Sequence, residues 1–325
     1  MKILVLRFSS IGDIVLTSPV LRCLKEQVPA AEVHVATKAA FSDLVRFSPH
    51  VDKVHELEDD LGALIDRLRE EHYDHVVDLH RNVRTARVKR ALGVPASSFN
   101  KLNIRKWLLV NLRIDRLPRV HIVQRYLEAA KGLGVKDDGR GLELFIPEDR
   151  RVDPALLPAE HRNGFHAFAI GAAHSTKRLP LRRSIELARA IPGPVVLIGG
   201  REDMEMAAAI GDAVGGKVFD ATGRFDLLAS ASLIGRAKGV FAHDSGAMHM
   251  ACALGRPVVS IWGSTVPAFG MGPYQPEHPD RARIAEVKGL DCRPCSKIGF
   301  AQCPKGHFHC MEHQDIPAIV AELAR

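Results

Sequence analysis

Three short segments carry side chains whose types and spacing suit chemistry. The first is Arg7-Phe8-Ser9-Ser10-Ile11-Gly12-Asp13, with Thr17, Ser18 and Pro19 opening a helix behind it. It follows the aliphatic run 3–6, so Asp13 stands just past the carboxyl end of an expected strand, where α/β proteins bind ligands. A carboxylate there can take a proton from a hydroxyl. The plainer reading makes Asp13 a helix N-cap, a position Asp fills well.

The second segment is Gly171-Ala172-Ala173-His174-Ser175-Thr176-Lys177-Arg178-Leu179-Pro180, again directly after an expected strand. Small residues let backbone amides approach an anion, hydroxyls donate to it, and Lys177 with Arg178 supplies charge. That combination describes a diphosphate cradle; the alternative is an ordinary basic loop. The third begins at Asp244-Ser245-Gly246 and runs through His249. A helix starting near Ser245 and Gly246 aims free amides at an anion, while His249 can equally be a hydrogen-bonded core histidine.

Two familiar patterns are discounted. Residues 211–217 nearly spell a phosphate-binding loop, but Val218 stands where Ser or Thr is required, so the run reads as a helix stop. No Gly-x-Gly-x-x-Gly turn follows the first strand, which removes the main support for a nicotinamide cofactor.

The elements that must position these groups alternate in a βαβ rhythm. Strands are predicted at 3–6, 32–36, 53–57 and 75–79, with a helix over 60–71 whose stripe is Leu61, Leu64, Ile65 and Leu68. Residues 147–163 are charged and contain Pro147, Pro154 and Pro158, which marks a boundary between domains 1–155 and 160–325. The rhythm then restarts with strands at 165–171, 195–198, 239–242 and 258–262 and helices at 184–190, 203–214 and 246–254. Two doubly wound parallel sheets are the expected fold.

A length of 325 residues with 46% hydrophobic content suits two cores. The formal charge of +7 favours anionic partners. A nucleic-acid-binding protein is disfavoured, because two Trp and three Tyr offer few stacking platforms and the basic residues are dispersed. No stretch approaches the roughly 18 apolar residues of a membrane span, so the expectation is a cytoplasmic monomer that is at most peripheral to a membrane. Cys292, Cys295, Cys303 and Cys310 crowd into the tail. They could hold a structural zinc, remain reduced or form a disulfide.

Taken in order, the segment 7–13, Thr176-Lys177-Arg178-Leu179-Pro180, Asp244-Ser245-Gly246 with His249, and Trp262-Gly263-Ser264-Thr265 before Gly272-Pro273-Tyr274 resemble glycosyltransferase family 9, the ADP-heptose:lipopolysaccharide heptosyltransferases and relatives. The resemblance implies a GT-B fold, two Rossmann-like domains facing across a cleft, the first for the acceptor and the second for the nucleotide sugar. It implies inverting transfer of a heptose from ADP-heptose to a Kdo- or heptose-bearing lipopolysaccharide inner core, with Asp13 as general base. The chain has no Asp-x-Asp pair, so no metal is expected to be required for catalysis. Lys177, Thr176, the Ser245 and Gly246 amides and His249 are expected to stabilise the diphosphate, with Asp244 among the residues that bind the nucleotide sugar. Glu202 or Glu205 is expected at the ribose and Phe225 at the adenine.

On the acceptor side the expectation is Ser10 and Gly12, with Arg81 and Arg84. The same region holds Arg87, Lys89 and Arg90; on a helix over 83–92 Arg84 and Arg87 share one face while Lys89 and Arg90 turn partly away, so not all can meet one ligand. Lys101, Arg105 and Lys106 follow, and Trp107 and Leu108 are available to an apolar membrane surface beside an anionic glycolipid acceptor. A GT-B enzyme for another nucleotide sugar, or a sugar epimerase, would keep the same cradle.

Overall fold

A computed structural model describes residues Met1–Ala324. Two parallel sheets form, and their central strands, such as Lys2–Leu6, Val195–Ile198 and Val258–Trp262, are near-continuous buried apolar runs, the pattern of strands covered on both faces. The first sheet contains β1 (Lys2–Leu6), β2 (Glu32–Lys38), β3 (Lys53–Leu57), β4 (His75–Asp78) and β5 (Ala96–Ser98), in the order β3-β2-β1-β4-β5. The second contains β6 (His166–Ala169), β7 (Val195–Ile198), β8 (Val218–Asp220), β9 (Val240–His243), β10 (Val258–Trp262) and β11 (Ala282–Glu286), in the order β11-β10-β9-β6-β7-β8.

Chain direction across each sheet reverses at one place, between β1 and β4 and again between β6 and β9. Crossover helices leave opposite faces of the sheet at such a point, and the crevice outside the carboxyl ends is where ligands bind. Three of the segments chosen from sequence, 7–13, 171–180 and 244–249, emerge from β1, β6 and β9 and therefore border these two switch points.

The helix predicted over 60–71 spans Leu61–Glu70, with Asp60 accepting from the Gly62 amide at 2.7 Å as its cap and Leu64, Ile65 and Leu68 buried. The helix Met204–Val214 ends at Gly215, whose φ of 82° is a conformation L side chains rarely adopt; this is the predicted helix stop. Strands β5, β8 and β11 were not anticipated. Ala96–Ser98 and Val218–Asp220 are three-residue strands and none of the three strands contains a fully buried residue, so none leaves an apolar run to read.

Contacts divide the chain into two compact units, Met1–Leu102 with Val120–Phe145, and Asn103–Arg119 with Ile146–Arg325. The division differs from the boundary inferred from proline and charge: residues 146–155 belong to the second unit, and so does the helix Asn103–Leu112. That helix buries none of its residues. Among the described residues no helix is long and apolar enough to cross a membrane.

In the first unit the chain's return is pinned by Arg22, which is 0% exposed on the helix Ser18–Gln27. Its guanidinium meets Asp138 at 2.7 Å and Glu143 at 3.0 Å and donates to the Gly141 carbonyl at 3.0 Å. Burial opposes the charge, and the two carboxylates more than offset it, raising the Arg22 pKa.

Candidate active site

In the first unit Asp13 is not the N-cap. Ser10 caps the helix Ile11–Val15, and Asp13 occupies the third helical position, reaching back so that its Oδ2 accepts from the Ser10 amide at 3.3 Å and the Ser10 hydroxyl at 2.9 Å. Its Oδ1 is paired with Arg7 at 2.6 Å. Arg7 is buried and spends its remaining donors on the carbonyls of Ser9 at 2.8 Å and Leu79 at 2.5 Å and on the Tyr126 hydroxyl at 2.9 Å. Burial opposes its charge, while Tyr126 and Asp13 more than restore it. The carboxylate is thus fixed from behind, and its side chain remains 24% exposed. Gly12 is buried within the same turn and Ser10 is exposed.

Across the switch point, Asp78 at the end of β4 is fully buried and shapes the turn that follows. Its Oδ1 accepts from the amides of His80 at 3.0 Å and Arg81 at 2.6 Å, and Lys89 pairs with Oδ2 at 2.9 Å. Arg81 takes φ +52° there and its guanidinium donates to the Phe99 carbonyl at 3.1 Å. Arg84 is exposed at the start of the helix Val83–Leu92.

Two groups that sequence reasoning missed border the same place. His80 accepts from the Phe8 amide at 3.2 Å through Nδ1, and burial, with the charges of Arg7 and Lys101, pushes its pKa down to about 4. It is a neutral imidazole. Lys101, half-buried, has its pKa lowered by burial and by Arg7, while Asp78 and Asp13 oppose that shift. Nothing in its loop sequence distinguished it from the neighbouring basic residues.

In the second unit Lys177 and Asp244, from the exits of β6 and β9, pair at 2.7 Å, and the Thr265 hydroxyl donates to the same Asp244 Oδ2 at 2.7 Å. Behind Asp244, Ser245 caps the eight-residue helix Gly246–Ala253. Its first amides have no partner within the helix. His249 is carried on that helix, 2% exposed.

Thr176 is placed differently from the expectation. Its side chain is 2% exposed and its hydroxyl is consumed by the Phe300 amide at 2.8 Å, the Phe300 carbonyl at 3.1 Å and the Ser264 hydroxyl at 2.9 Å. It braces the loop instead of presenting a donor to a diphosphate. Arg178 is likewise internal, bonded to the Ala172 carbonyl at 2.6 Å and the buried carboxylate of Asp203 at 2.6 Å. Gly171 and Gly199 lie against that carboxylate, and a Cβ at Gly199 would come within 2.8 Å of it. Glu202 folds over Gly200 and is exposed, as is Glu205 on the first turn of the helix Met204–Val214; Phe225 is half-buried before the cap residue Asp226.

The tail is what holds these loops. Arg293 donates to the carbonyls of Gly263 at 2.5 Å and Thr265 at 2.8 Å and pairs with Glu286 at 2.9 Å. The Cys295 amide donates to the Ser264 carbonyl at 2.9 Å. The tail cysteines are free thiols whose charges act on one another, those of Cys292 and Cys303 on Cys295 and those of Cys295, Cys303 and Cys292 on Cys310. Among the described residues no three of Cys292, Cys295, Cys303 and Cys310 bring their sulfurs within 4.8 Å of one another. Cys295 Sγ turns to the Cys292 carbonyl at 2.9 Å, and Cys310 is buried in the second unit's core.

The sequence profile of glycosyltransferase family 9 (heptosyltransferase) matches residues 61–299. The lipopolysaccharide heptosyltransferase 2 of Escherichia coli (strain K12) is 27% identical over 294 residues, 83% of this chain and 84% of that protein. Among solved structures, a family 9 glycosyl transferase from Veillonella parvula superposes with a TM-score of 0.70 at 25% identity, over 84% of this chain and 83% of that one. The ADP-heptose lipopolysaccharide heptosyltransferase II of E. coli does so with 0.71 at 24% identity over all of both chains. These likenesses fit the GT-B fold class, each unit of this chain carrying one parallel, doubly wound sheet.

Proposed function

The chain belongs to glycosyltransferase family 9 and is a glycosyltransferase, and from that premise we propose that it moves a heptose from ADP-heptose onto the Kdo- or heptose-bearing inner core of a lipopolysaccharide. Relatives named for this activity support the donor and acceptor. The single observation that carries the mechanism is the fixation of Asp13 by Arg7 and Ser10 at the carboxyl end of β1.

An acceptor hydroxyl is a poor nucleophile until its proton has somewhere to go. Each Asp13 oxygen has two lone pairs, so the carboxylate can accept that proton while Arg7 and Ser10 keep it oriented. The acceptor oxygen forms its bond to the anomeric carbon as the bond from that carbon to the diphosphate oxygen breaks. ADP leaves from the opposite face, which inverts the configuration.

Negative charge grows on the departing diphosphate. Lys177 and the free amides at the start of the helix Gly246–Ala253 offset it as preorganised donors, with Asp244 holding Lys177, Ser245 at the cap and His249 behind. The reading requires no metal for this step. Glu202 or Glu205 takes the ribose hydroxyls and Phe225 packs on the adenine. Ser10, Gly12, Arg81 and Arg84 receive the acceptor, joined by Lys101, whose ammonium suits a carboxylate- and phosphate-rich glycolipid.

The enzyme works at the cytoplasmic face of the inner membrane as a peripheral monomer. The helix Asn103–Leu112 supports this: Ile104 is 77% exposed and Trp107 51%, and the exposed Arg105 shares the helix with them, a basic and apolar surface suited to anionic lipid. Purified protein offered ADP-, UDP- and GDP-sugars tests the donor. Turnover of ADP-heptose alone supports the reading; turnover of only a uridine donor removes the heptose assignment.

A further inference from the structure

We propose that the first unit carries a second, non-catalytic site for a zinc-type divalent cation, formed by His34, His55 and Glu71 with Tyr73 as the fourth donor. The cluster lies toward the amino ends of the strands, whereas Asp13 lies past their carboxyl ends. His34 comes from β2, His55 from β3, and Glu71 and Tyr73 from the segment that enters β4. Donor atoms of His34, His55 and Glu71 all fall within 4.8 Å of one another, the one such His, Cys, Asp or Glu set among the described residues.

Three potential ligand atoms converge on one point in this cluster. His34 Nδ1, His55 Nε2 and Tyr73 Oη form a triangle with edges of 3.2, 2.9 and 2.9 Å. His34 Nε2 faces the Glu32 carboxylate at 2.9 Å, so in the neutral ring the proton sits there and Nδ1 presents a lone pair to the triangle. The phenol brings one proton and His55 Nε2 at most one. Two protons close two of the three contacts, the phenol donating to His34 Nδ1 and His55 Nε2 donating to the phenol oxygen, and the 3.2 Å edge between the two rings has no proton of its own. A cation at the centre, with His55 Nε2 deprotonated, would engage all three atoms at once.

The dimensions agree. Ligands about 2.0 Å from a tetrahedral zinc lie about 3.3 Å from one another, close to the three edges of the triangle. Glu71 completes the set: its oxygens lie 3.9 Å from His34 Nδ1 and 3.7 Å from His55 Nε2. The Glu32–His34 contact reproduces the arrangement in which a carboxylate grips the outer nitrogen of a metal-binding imidazole and fixes its tautomer. His34, His55 and Tyr73 are all buried, so the ligands are preorganised. Lys2 and Lys53 also pair with Glu71. Each carboxylate oxygen has a second lone pair, so both lysines can stay on the solvent side. Two imidazole nitrogens with a carboxylate and a phenol oxygen form a mixed set that suits zinc over magnesium or calcium.

The site crosslinks β2, β3 and the approach to β4, so its occupation should stabilise the first unit. The test uses full-length protein without a polyhistidine tag, in a Cys292→Ser/Cys295→Ser background so that the tail thiols cannot account for binding. After incubation with Zn2+ and dialysis, about one equivalent should remain, with a raised Tm. His55→Gln should abolish retention. Glu32→Gln, a change at a half-exposed side chain, should weaken binding by about tenfold while leaving the apo-protein's circular dichroism unchanged. Zinc below about a tenth of an equivalent in the tail variant, or the same affinity in the Glu32→Gln and parent proteins, would overturn the proposal.

Discussion

Lys177 Nζ lies 2.7 Å from Asp244 Oδ2, joining the loop after β6 to the loop after β9 across the switch point of the second sheet. The pair holds the ammonium at Asp244, two residues ahead of the helix Gly246–Ala253, whose start would stabilise a leaving diphosphate. Lys177→Ala should lower kcat by roughly 10²- to 10³-fold, the scale for losing one preorganised donor to developing charge. Asp244→Asn keeps the acceptor oxygen for Thr265 but releases the ion pair, so a smaller loss is expected. Steady-state kinetics at saturating acceptor would measure both, and wild-type kcat in Lys177→Ala would remove Lys177 from the mechanism.

Arg293 acts on the donor side at a distance. It ties the carbonyls of Gly263 and Thr265 to the tail, and Thr265 in turn holds Asp244. Arg293→Ala should raise the donor KM and leave the acceptor KM unchanged. Stability should fall by about 1–3 kcal/mol for the lost hydrogen bonds, read by urea denaturation. A variant altered only in acceptor KM would contradict this division of labour.

The first unit depends on Arg22 in the same structural sense. Arg22→Ala leaves Asp138 to Arg140 alone and Glu143 to His50 alone and should cost about 3 kcal/mol, since it removes the buried partner that both carboxylates share. Arg22 holds the Asp138 carboxyl well below the usual carboxylate range. With the folded pKa depressed, that stabilisation is complete above the ordinary carboxylate pKa and lost as pH falls through the folded one. Acid unfolding curves for Asp138→Asn should therefore lose part of the wild-type dependence below about pH 4.

Histidines add an earlier step. Burial is the main cause pushing His80 and His243 down to about 4, so the unfolded chain takes up their protons first. Their contribution is full above about pH 6.5 and falls as pH drops toward the folded values. His80→Gln, which keeps an acceptor for the Phe8 amide, should flatten the stability profile between those limits. An unchanged slope would show that His80 is not held neutral in the folded state.

The parts of this site legible in the sequence are those set by local pattern. Asp13, Lys177 and Asp244 each follow a buried aliphatic strand, and strand ends in a doubly wound sheet are where ligands bind. What escaped was set by partners far along the chain. Thr176 looked like a phosphate donor because its hydroxyl sits among glycine, alanine and lysine, but Phe300 lies 124 residues away and claims it. Lys101 and His80 carry no local signature; only the packing of their loops beside Arg7 assigns them. The cap at Ser10 was misread for a similar reason, since Ser and Asp three apart can each claim the role and only backbone geometry decides. The short edge strands escaped because they contribute no buried run.

The central claim is that Asp13 takes the acceptor proton. Single-turnover transfer from ADP-heptose to a Kdo-bearing lipid acceptor, compared in wild type and Asp13→Asn, tests it most directly. Asn matches Asp in shape but cannot accept the proton, so the rate of the chemical step should fall by about 10²- to 10⁴-fold while donor binding stays unchanged. Transfer by Asp13→Asn at the wild-type rate would contradict the account.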